Sequence, residues 1–179
     1  MYRRALLVGR FQPLHWGHIH CFKYALERAL ELVIGIGSSQ HYNTERNPLS
    51  TAERYEMIVR TLRREGFPME KISIVPIPDT ERPEEDWGMI VLERVPRIDI
   101  AFSNDPETIK DLSKVGVHVE GIPFHKRELY EATKIRKKIL QGDISWKSLV
   151  PEEVAKFLDE IKFEERLRSI ATESSCLHS

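Results

Sequence analysis

Residues 5–37, ALLVGRFQPLHWGHIHCFKYALERALELVIGIG, contain the pattern that decides the fold. The run from Ala5 to Gly9 is short, apolar and ended by a glycine, which is typical of a strand buried on both faces. Residues 16–30 repeat apolar side chains at helical spacing, and residues 32–37 form a second apolar run. A strand, a helix and a strand in about thirty residues are the βαβ unit of a parallel sheet.

The same alternation continues through the rest of the chain. Apolar runs predict further strands at 72–75, 98–102 and 117–119, and periodic segments predict helices at 51–65, 84–94, 106–115, 133–141 and 151–170. This order predicts an α/β fold with a doubly wound parallel sheet. We expect one domain over residues 1–179, with a core of about 4–150, a C-terminal helical appendage of about 151–171 and a frayed polar tail at 172–179.

Composition and charge exclude several classes of function. The 179 residues are 41% hydrophobic and 31% charged, with a net charge of −1, so we expect no general nucleic-acid or membrane surface. No apolar run approaches the length of a membrane span or a signal peptide, which favours the cytoplasm. The two cysteines, Cys21 and Cys176, are too few for a disulfide framework, and no cysteine-based metal site is expected.

The loop after the first strand carries the most unusual chemistry. Ligands of doubly wound sheets bind at the carboxyl ends of the strands, and this loop leads into a helix N-terminus, where free amides attract phosphate. His15 and His18 are three residues apart, Arg10 adds a positive charge, and Gly9 and Gly17 allow close approach of a nucleotide. Taken singly, these residues more often cap a helix, and a zinc pair formed by the two histidines would lack a nearby third ligand.

Residues 9–18, GRFQPLHWGH, resemble the GRFQPxHxGH signature of the nucleotidyltransferase superfamily. They are especially similar to the archaeal-type nicotinamide mononucleotide adenylyltransferases. The resemblance implies a Rossmann-like fold on which ATP donates its adenylyl group to nicotinamide mononucleotide, giving NAD and pyrophosphate. It also implies Mg²⁺ bound mainly through the ATP phosphates, no protein metal site, and a homo-oligomer, commonly a hexamer in the archaeal type.

Two further segments match the same family. Thr133 and Arg136 fit its second signature at the start of a late helix, where Thr133 is predicted as the N-cap and Arg136 lies on the same face one turn later. The loop 38–50 resembles the family's loop before the second helix, which implies that Arg46 is a phosphate ligand; a solvated loop residue is the alternative. The implied catalytic residues are therefore His15, His18, Arg46 and Arg136.

The remaining implied contacts divide between the two substrates. For ATP they are Gly9, Arg10, Phe11, Gly17, Phe124, Arg127 and Thr133. For the acceptor they are Asp79, Trp87, Ser103 and Asn104. Asp79 can accept a hydrogen bond from a carboxamide, and the indole of Trp87 can stack on a pyridinium ring, although Trp87 equally suits the core of a short helix.

Two other functions remain open at the level of sequence. The HxGH part of this signature is shared by pantetheine-phosphate and flavin mononucleotide adenylyltransferases and by cytidylyltransferases, so the acceptor pocket alone discriminates among them. A module that senses NAD or ATP without turnover is a different class, and it would not need groups aimed at a transition state. His41, His118 and His125 have no role in any of these interpretations.

Overall fold

Five parallel strands form one sheet in the computed structural model, which describes residues 1–123 and 130–177. The strands are β1 (Tyr2–Gly9), β2 (Ala29–Ile36), β3 (Ile72–Pro76), β4 (Ile100–Phe102) and β5 (Val119–Glu120), in the order β3-β2-β1-β4-β5. The order reverses between β1 and β4, so their carboxyl ends mark the switch point at which such sheets bind ligands. The predicted doubly wound sheet is confirmed.

Seven α-helices accompany the sheet in the described ranges. They are α1 (Trp16–Leu26), α2 (Thr51–Arg64), α3 (Trp87–Arg94), α4 (Pro106–Lys114), α5 (Ala132–Leu140), α6 (Glu152–Glu160) and α7 (Phe163–Leu177). Local chemistry fixes several starts. Ser50 and Glu53 form a reciprocal capping box at α2, and Asp105 caps α4 ahead of a proline in its first turn.

The C-terminal helix prediction was wrong in two respects. Residues 151–170 form two helices rather than one, because the backbone turns left-handed at Lys162 (φ 55°). Apolar spacing continues across this break, so periodicity alone does not locate it. Residues 172–177 continue α7 instead of fraying, and the hydroxyls of Thr172 and Ser175 donate to carbonyls one turn earlier (2.9 and 3.0 Å).

Two helices nearer the sheet are shorter than predicted. α1 ends at Leu26 rather than residue 30, because the residues from Ala29 onward pair with β1. α3 begins at Trp87 rather than residue 84, since the Asp86 carboxylate accepts from the amide of Met89 and sets the first turn. In both cases a tertiary or capping contact overrides helical propensity.

The chain divides into two compact units, each assembled from three separate segments. The first unit, residues 1–9, 20–40 and 68–125, contains all five strands with α3, α4 and most of α1. The second unit, residues 10–19, 41–67 and 126–179, contains α2, α5, α6, α7 and the loop after β1. The expectation of one domain stays a prediction.

The core of the first unit joins the sheet to α3 and α4. Its buried members are Leu6, Val33, Ile77, Val91, Ala101 and Leu112. A Cβ at Gly88 of α3 would contact the carbonyl oxygen of Asp111 in α4, so a glycine is required where these two helices meet. This packing holds β1 and β4 together and so fixes the edge at which their loops begin.

An ion pair ties α7 to the start of α2 in the second unit. The Arg166 guanidinium donates to both carboxylate oxygens of Glu53 (2.6 and 2.8 Å) and to the carbonyl of Pro48 (3.3 Å). Burial alone would raise the pKa of Glu53, but the hydrogen bonds from Arg166 and Ser50 outweigh it, so the pKa lies below its ordinary value. The C-terminal appendage therefore holds the loop that precedes α2.

This pair predicts a pH-dependent contribution to stability. A carboxylate with a depressed folded-state pKa stabilises the fold above its unfolded pKa of about 4.3, and the stabilisation is lost as pH falls through the folded pKa. We expect Arg166→Gln to lower the free energy of unfolding by about 1–2 kcal/mol at pH 7, because this bidentate pair is half-buried. Urea unfolding at pH 7 and near pH 3 should show the difference shrinking in acid.

The matched control is Arg168→Gln on the same helix. Arg168 pairs with Glu164 at 2.8 Å, but both side chains are more than half exposed, so the expected loss is under about 0.5 kcal/mol. Equal effects of the two substitutions would contradict a special role for the Arg166 pair.

Candidate active site

The loop between β1 and α1 is held by a glutamine side chain. Gln12 is 1% exposed; its amide nitrogen donates to the carbonyl of Leu49 (3.0 Å), and its amide oxygen accepts from the Leu49 amide (2.8 Å). Both segments belong to the second unit. The glutamine thus fixes the loop 10–18 against the loop that carries Arg46.

The two histidines of this loop lie face to face. The rings of His15 and His18 stack with centroids 3.7 Å apart. Nδ1 of His18 accepts from the amide of His15 (3.1 Å), and Nδ1 of His15 accepts from the amide of Gly17 (3.1 Å). Because both Nδ1 atoms are acceptors, the neutral rings carry their proton on Nε2, and each presents an Nε2–H donor.

Neighbouring residues fix the orientation of these rings. Phe11, buried and with a positive φ of 52°, packs its ring edge-on against His18 with centroids 4.8 Å apart. A Cβ at Gly17 would lie 2.9 Å from the His15 ring and 3.1 Å from Tyr130, so a glycine is needed at that position. Phe11 thus supports the imidazole of His18, and the ATP contact implied for it stays a prediction.

Burial keeps both imidazoles neutral at neutral pH. Desolvation lowers the pKa of His15 to about 4. Desolvation, followed by repulsion from His15, lowers the pKa of His18 well below its ordinary value. The pair therefore offers hydrogen-bond donors in the resting protein, and the positive charge of the site comes from elsewhere.

Arg136 brings a charge to the same loop. It is 9% exposed on α5, and its Nη1 donates to the carbonyl of Gln12 (2.7 Å), three residues before His15. Burial, together with repulsion from Arg10, lowers the guanidinium pKa, while Glu45 opposes the shift. An arginine keeps its charge under such a shift. The two sequence signatures thus meet at the loop 10–18.

Arg10 and the loop 41–50 complete the positive cluster. Nη1 of Arg10 donates to the carbonyl of Arg46 (3.4 Å), and the Arg46 side chain is exposed. Arg54 of α2 is fully buried, and its Nη1 donates to the carbonyl of Arg10 (3.0 Å). We call Arg10, His15, His18, Arg46 and Arg136, all in the second unit, the phosphate cluster, after the role that the family resemblance implies for them.

Thr133 is not the N-cap that the sequence predicted. α5 begins at Ala132 with Glu131 at the N-cap, and the Glu131 side chain makes no capping hydrogen bond. Thr133 is therefore the second helical residue, with an exposed side chain. N-cap preferences favour threonine over glutamate, but the backbone of Glu131 is extended (φ −123°, ψ 127°), so Glu131 is the residue at the N-cap.

The residues implied for the acceptor lie in the first unit. Asp79 follows β3, and both polar groups of its backbone bond to the Gln40 side chain (3.0 Å each). Trp87, the first residue of α3, is partly buried and packs against the core of this unit. The partial exposure of Trp87 leaves room for both a core role and a stacking role.

Two more of these residues follow β4. The hydroxyl of Ser103 accepts from the amide of Asp105 (3.1 Å). The Asn104 side chain donates to the carbonyl of Ile122 (2.7 Å) and accepts from its amide (2.9 Å). Both polar ends of Asn104 are thus engaged with backbone, which favours a role in shaping the loop after β5.

Comparisons with known proteins show the family to which the chain belongs. Residues 6–138 match the family model described as cytidylyltransferase-like. The nicotinamide-nucleotide adenylyltransferase of Saccharolobus solfataricus is 40% identical over 167 residues, 93% of this chain and 96% of that protein. The protein of the same name from Thermococcus kodakarensis is 36% identical over 172 residues, 96% of this chain and 90% of that protein.

The chain belongs to the family of archaeal nicotinamide-nucleotide adenylyltransferases, within the cytidylyltransferase-like proteins.

Solved structures share the fold of this adenylyltransferase family member. A bifunctional NMN adenylyltransferase/ADP ribose pyrophosphatase from Francisella tularensis, complexed with AMP and a manganese ion, superposes with a TM-score of 0.76 at 22% identity. The match covers 98% of this chain and 53% of that one, so the present chain spans about half its length. Plasmodium falciparum nicotinic acid mononucleotide adenylyltransferase complexed with APC gives 0.57 at 12% identity, covering 92% and 98%.

The sequence analysis missed several residues that hold the site in place, and other predicted residues lie outside the described ranges. Gln12 is part of the signature and Arg54 lies in the first turn of α2, yet no sequence pattern indicates that they hold the loop through backbone groups. Gln40 and Arg166 carry no motif signal. Phe124, Arg127 and His125 lie outside the described residues. His118, to which the sequence analysis assigned no role, bonds to Glu120 (3.0 Å) in the first unit.

The depressed histidine pKa predicts a distinct stability profile for this family member. Between about pH 4 and the unfolded value of about 6.5, the unfolded chain binds the proton that folded His15 refuses, so stability rises with pH across this window. The full effect amounts to roughly 3 kcal/mol at 1.36 kcal/mol per pKa unit. We expect His15→Gln to lose less stability than the parent between pH 6.5 and 4 in urea unfolding.

His41→Gln is the control, because His41 is an exposed loop residue. Its profile should follow that of the parent protein. Parallel profiles for the parent and His15→Gln would show that His15 is not held neutral by the fold.

Proposed function

We propose that this chain transfers the adenylyl group of ATP to nicotinamide mononucleotide, giving NAD and pyrophosphate. The supporting observation is that Arg136 reaches the loop that carries the stacked pair of His15 and His18. The relatives at 36–40% identity, which are named for this reaction, support the same choice of substrates.

The proposed reaction is a direct in-line displacement. A phosphate oxygen of nicotinamide mononucleotide attacks the α-phosphorus of ATP, the bond from that phosphorus to the bridging oxygen breaks, and pyrophosphate leaves with the electron pair. The attacking phosphate is already an anion at neutral pH, so no general base and no covalent intermediate are needed. Positioning and stabilisation of the developing charge supply the catalysis.

The phosphate cluster is suited to those two tasks. The Nε2–H groups of His15 and His18 are preorganised donors for phosphate oxygens, since their Nδ1 atoms are already engaged. Arg136 and Arg46 supply the charge that meets the departing pyrophosphate. Protonation would cost the hydrogen bonds that both Nδ1 atoms accept, so the pair acts as neutral donors and the arginines carry the charge.

The other ATP contacts in this proposal come mainly from residues 9–18 and from the start of α5. Gly9, Arg10 and Gly17 line the approach of the phosphates, Phe11 supports His18, and Thr133 lies in the first turn of α5. Phe124 and Arg127 border the adenine in the same proposal, although they lie outside the described residues. Asp79, Trp87, Ser103 and Asn104 are proposed to bind the acceptor.

Magnesium is proposed as the metal, held mainly by ATP. Across residues 1–123 and 130–177, no group of three or more histidine, cysteine, aspartate or glutamate side chains is placed to hold a metal ion. The imidazoles and guanidinia of the phosphate cluster suit an ion that arrives with its own phosphate ligands. Such an ion neutralises phosphate charge when bound. The divalent ion in the Francisella structure supports this choice.

The alternatives receive less support. The adenylyltransferases for other acceptors and the cytidylyltransferases share the signature, but the relatives cited above are named for the nicotinamide nucleotide. A sensing module would not need a buried arginine and two aligned donors at one loop. A homo-oligomer, commonly hexameric in the archaeal type, and a cytoplasmic location complete the proposal. No helix in the described ranges is long and apolar enough to span a membrane.

The direct test supplies the purified protein with Mg-ATP and one acceptor at a time. We expect NAD and pyrophosphate in equal amounts with nicotinamide mononucleotide, and little product with pantetheine phosphate or flavin mononucleotide. Faster turnover of either competitor would reassign the acceptor. No pyrophosphate with any acceptor, but tight ATP binding by calorimetry, would favour the sensing module.

The role of His18 predicts a specific kinetic defect. We expect His18→Ala to lower kcat by about 10²-fold while changing nicotinamide mononucleotide binding less than threefold, since its Nε2–H acts mostly as pyrophosphate departs. His18→Gln, whose amide can place an N–H near the Nε2 position, should retain more activity than the alanine variant. Steady-state kinetics with both substrates and calorimetry with the acceptor measure the two quantities.

His118→Ala serves as the control because it removes an exposed histidine of the first unit. It should leave both quantities unchanged. An equal loss of kcat and of acceptor affinity in His18→Ala would argue against its proposed role.

A further inference from the structure

We propose that Gln40 is a positioning residue for the acceptor nucleotide and acts by holding the backbone of Asp79. This inference rests on the proposed function, because it takes Asp79 as the residue that recognises the nicotinamide carboxamide. Gln40 belongs to no sequence signature, and both residues lie in the first unit.

The pairing of β2 and β3 continues beyond the two strands. Ile36 is the last residue of β2 and faces Pro76, and the amide of Ile77 then donates to the carbonyl of Ile36 (2.8 Å). The amide of Ser39 in turn donates to the carbonyl of Ile77 (3.1 Å). The backbone after β2 turns at Ser38 with a left-handed φ of 49°, and beyond Ser39 the contact to residues 76–79 passes from backbone to a side chain.

The Gln40 side chain supplies the next rung. Its amide oxygen accepts from the Asp79 amide and its amide nitrogen donates to the Asp79 carbonyl, both at 3.0 Å. A carboxamide has the donor and acceptor of a peptide group, so it can replace the missing backbone partner. Its nitrogen also lies 3.5 Å from a carboxylate oxygen of Glu81.

The sequence around Asp79 makes this contact important. Pro76 and Pro78 have no N–H, so between residues 76 and 79 only Ile77 and Asp79 can donate from the backbone. The Ile77 amide is held by β2, and the Asp79 amide is held by Gln40. Ile77 is fully buried while Asp79 is half-buried, so Gln40 fixes the segment at the point where it leaves the core.

A fixed backbone at Asp79 defines where its carboxylate can meet a ligand. Recognition of a carboxamide depends on hydrogen-bond geometry within a few tenths of an ångström, and a shift of about 1 Å can cost about 10²-fold in catalytic efficiency. A less rigid backbone at Asp79 should weaken binding of the acceptor but not binding of ATP, because the phosphate cluster is built from other residues. It should also weaken discrimination between the carboxamide and the carboxylate of the deamidated acceptor.

The test compares Gln40→Met with the parent protein. Methionine has a similar length and no charge, but it cannot bond to both backbone groups of Asp79. We expect KM for nicotinamide mononucleotide to rise about tenfold, with KM for Mg-ATP and kcat within twofold. We also expect the ratio of kcat/KM for the amidated and deamidated acceptors to fall at least threefold. Gln40→Ala, which removes the side chain with no new packing demand, should show the same pattern.

Gln141→Met is the matched control, since Gln141 is an exposed glutamine at the end of α5. It should leave all four quantities unchanged. Failure of the parent protein to make NAD would overturn the proposed function. An active parent whose Gln40 variants keep the acceptor KM and the discrimination ratio would overturn this inference alone. The inference also fails if both KM values rise equally or kcat falls alone, because a general loss of structure explains either result.

Discussion

Gln12 links three segments of the second unit that are far apart in the chain. Its carbonyl accepts from Arg136 on α5, and its side-chain amide bonds to both backbone groups of Leu49 ahead of α2. The histidine pair begins only three residues later. Gln12, which is buried, therefore helps to position the two imidazoles, the Arg136 guanidinium and the loop 41–50. A displacement of Gln12 would move every member of the phosphate cluster.

A side-chain amide that clasps both groups of one backbone residue recurs in this protein. Besides Gln12 with Leu49, the structure has Gln40 with Asp79 and Asn104 with Ile122. An amide suits this task because it donates and accepts at once and is neutral, so its burial avoids the desolvation cost of an ion. The three amides follow β1, β2 and β4, where the regular ladder ends and the loops still need fixed positions.

The fold was largely predictable from sequence, because each buried strand is an apolar run and the helices between them keep a 3.6-residue period. The phosphate cluster was predictable only where it coincides with a known signature, as at His15, His18 and Arg136. The helix break at Lys162 escaped because apolar spacing continues across it. The contacts of Gln40 and Arg166 were not predicted, because local sequence patterns do not indicate long-range partners. Gln40 bonds to the backbone of a residue 39 positions away, and Arg166 pairs with a carboxylate 113 positions away.

The neutral state of the histidines has a physical logic within a positive site. Burial, together with repulsion from Arg10, already lowers the guanidinium pKa of Arg136, so two permanently charged imidazoles at the same loop would destabilise the empty protein further. Neutral rings avoid that cost and still provide two aimed donors. Because both Nδ1 atoms already accept backbone N–H groups, a second proton on either ring would also break the hydrogen bond that orients it. The positive charge of the loop therefore belongs to the arginines, and the imidazoles contribute direction rather than charge.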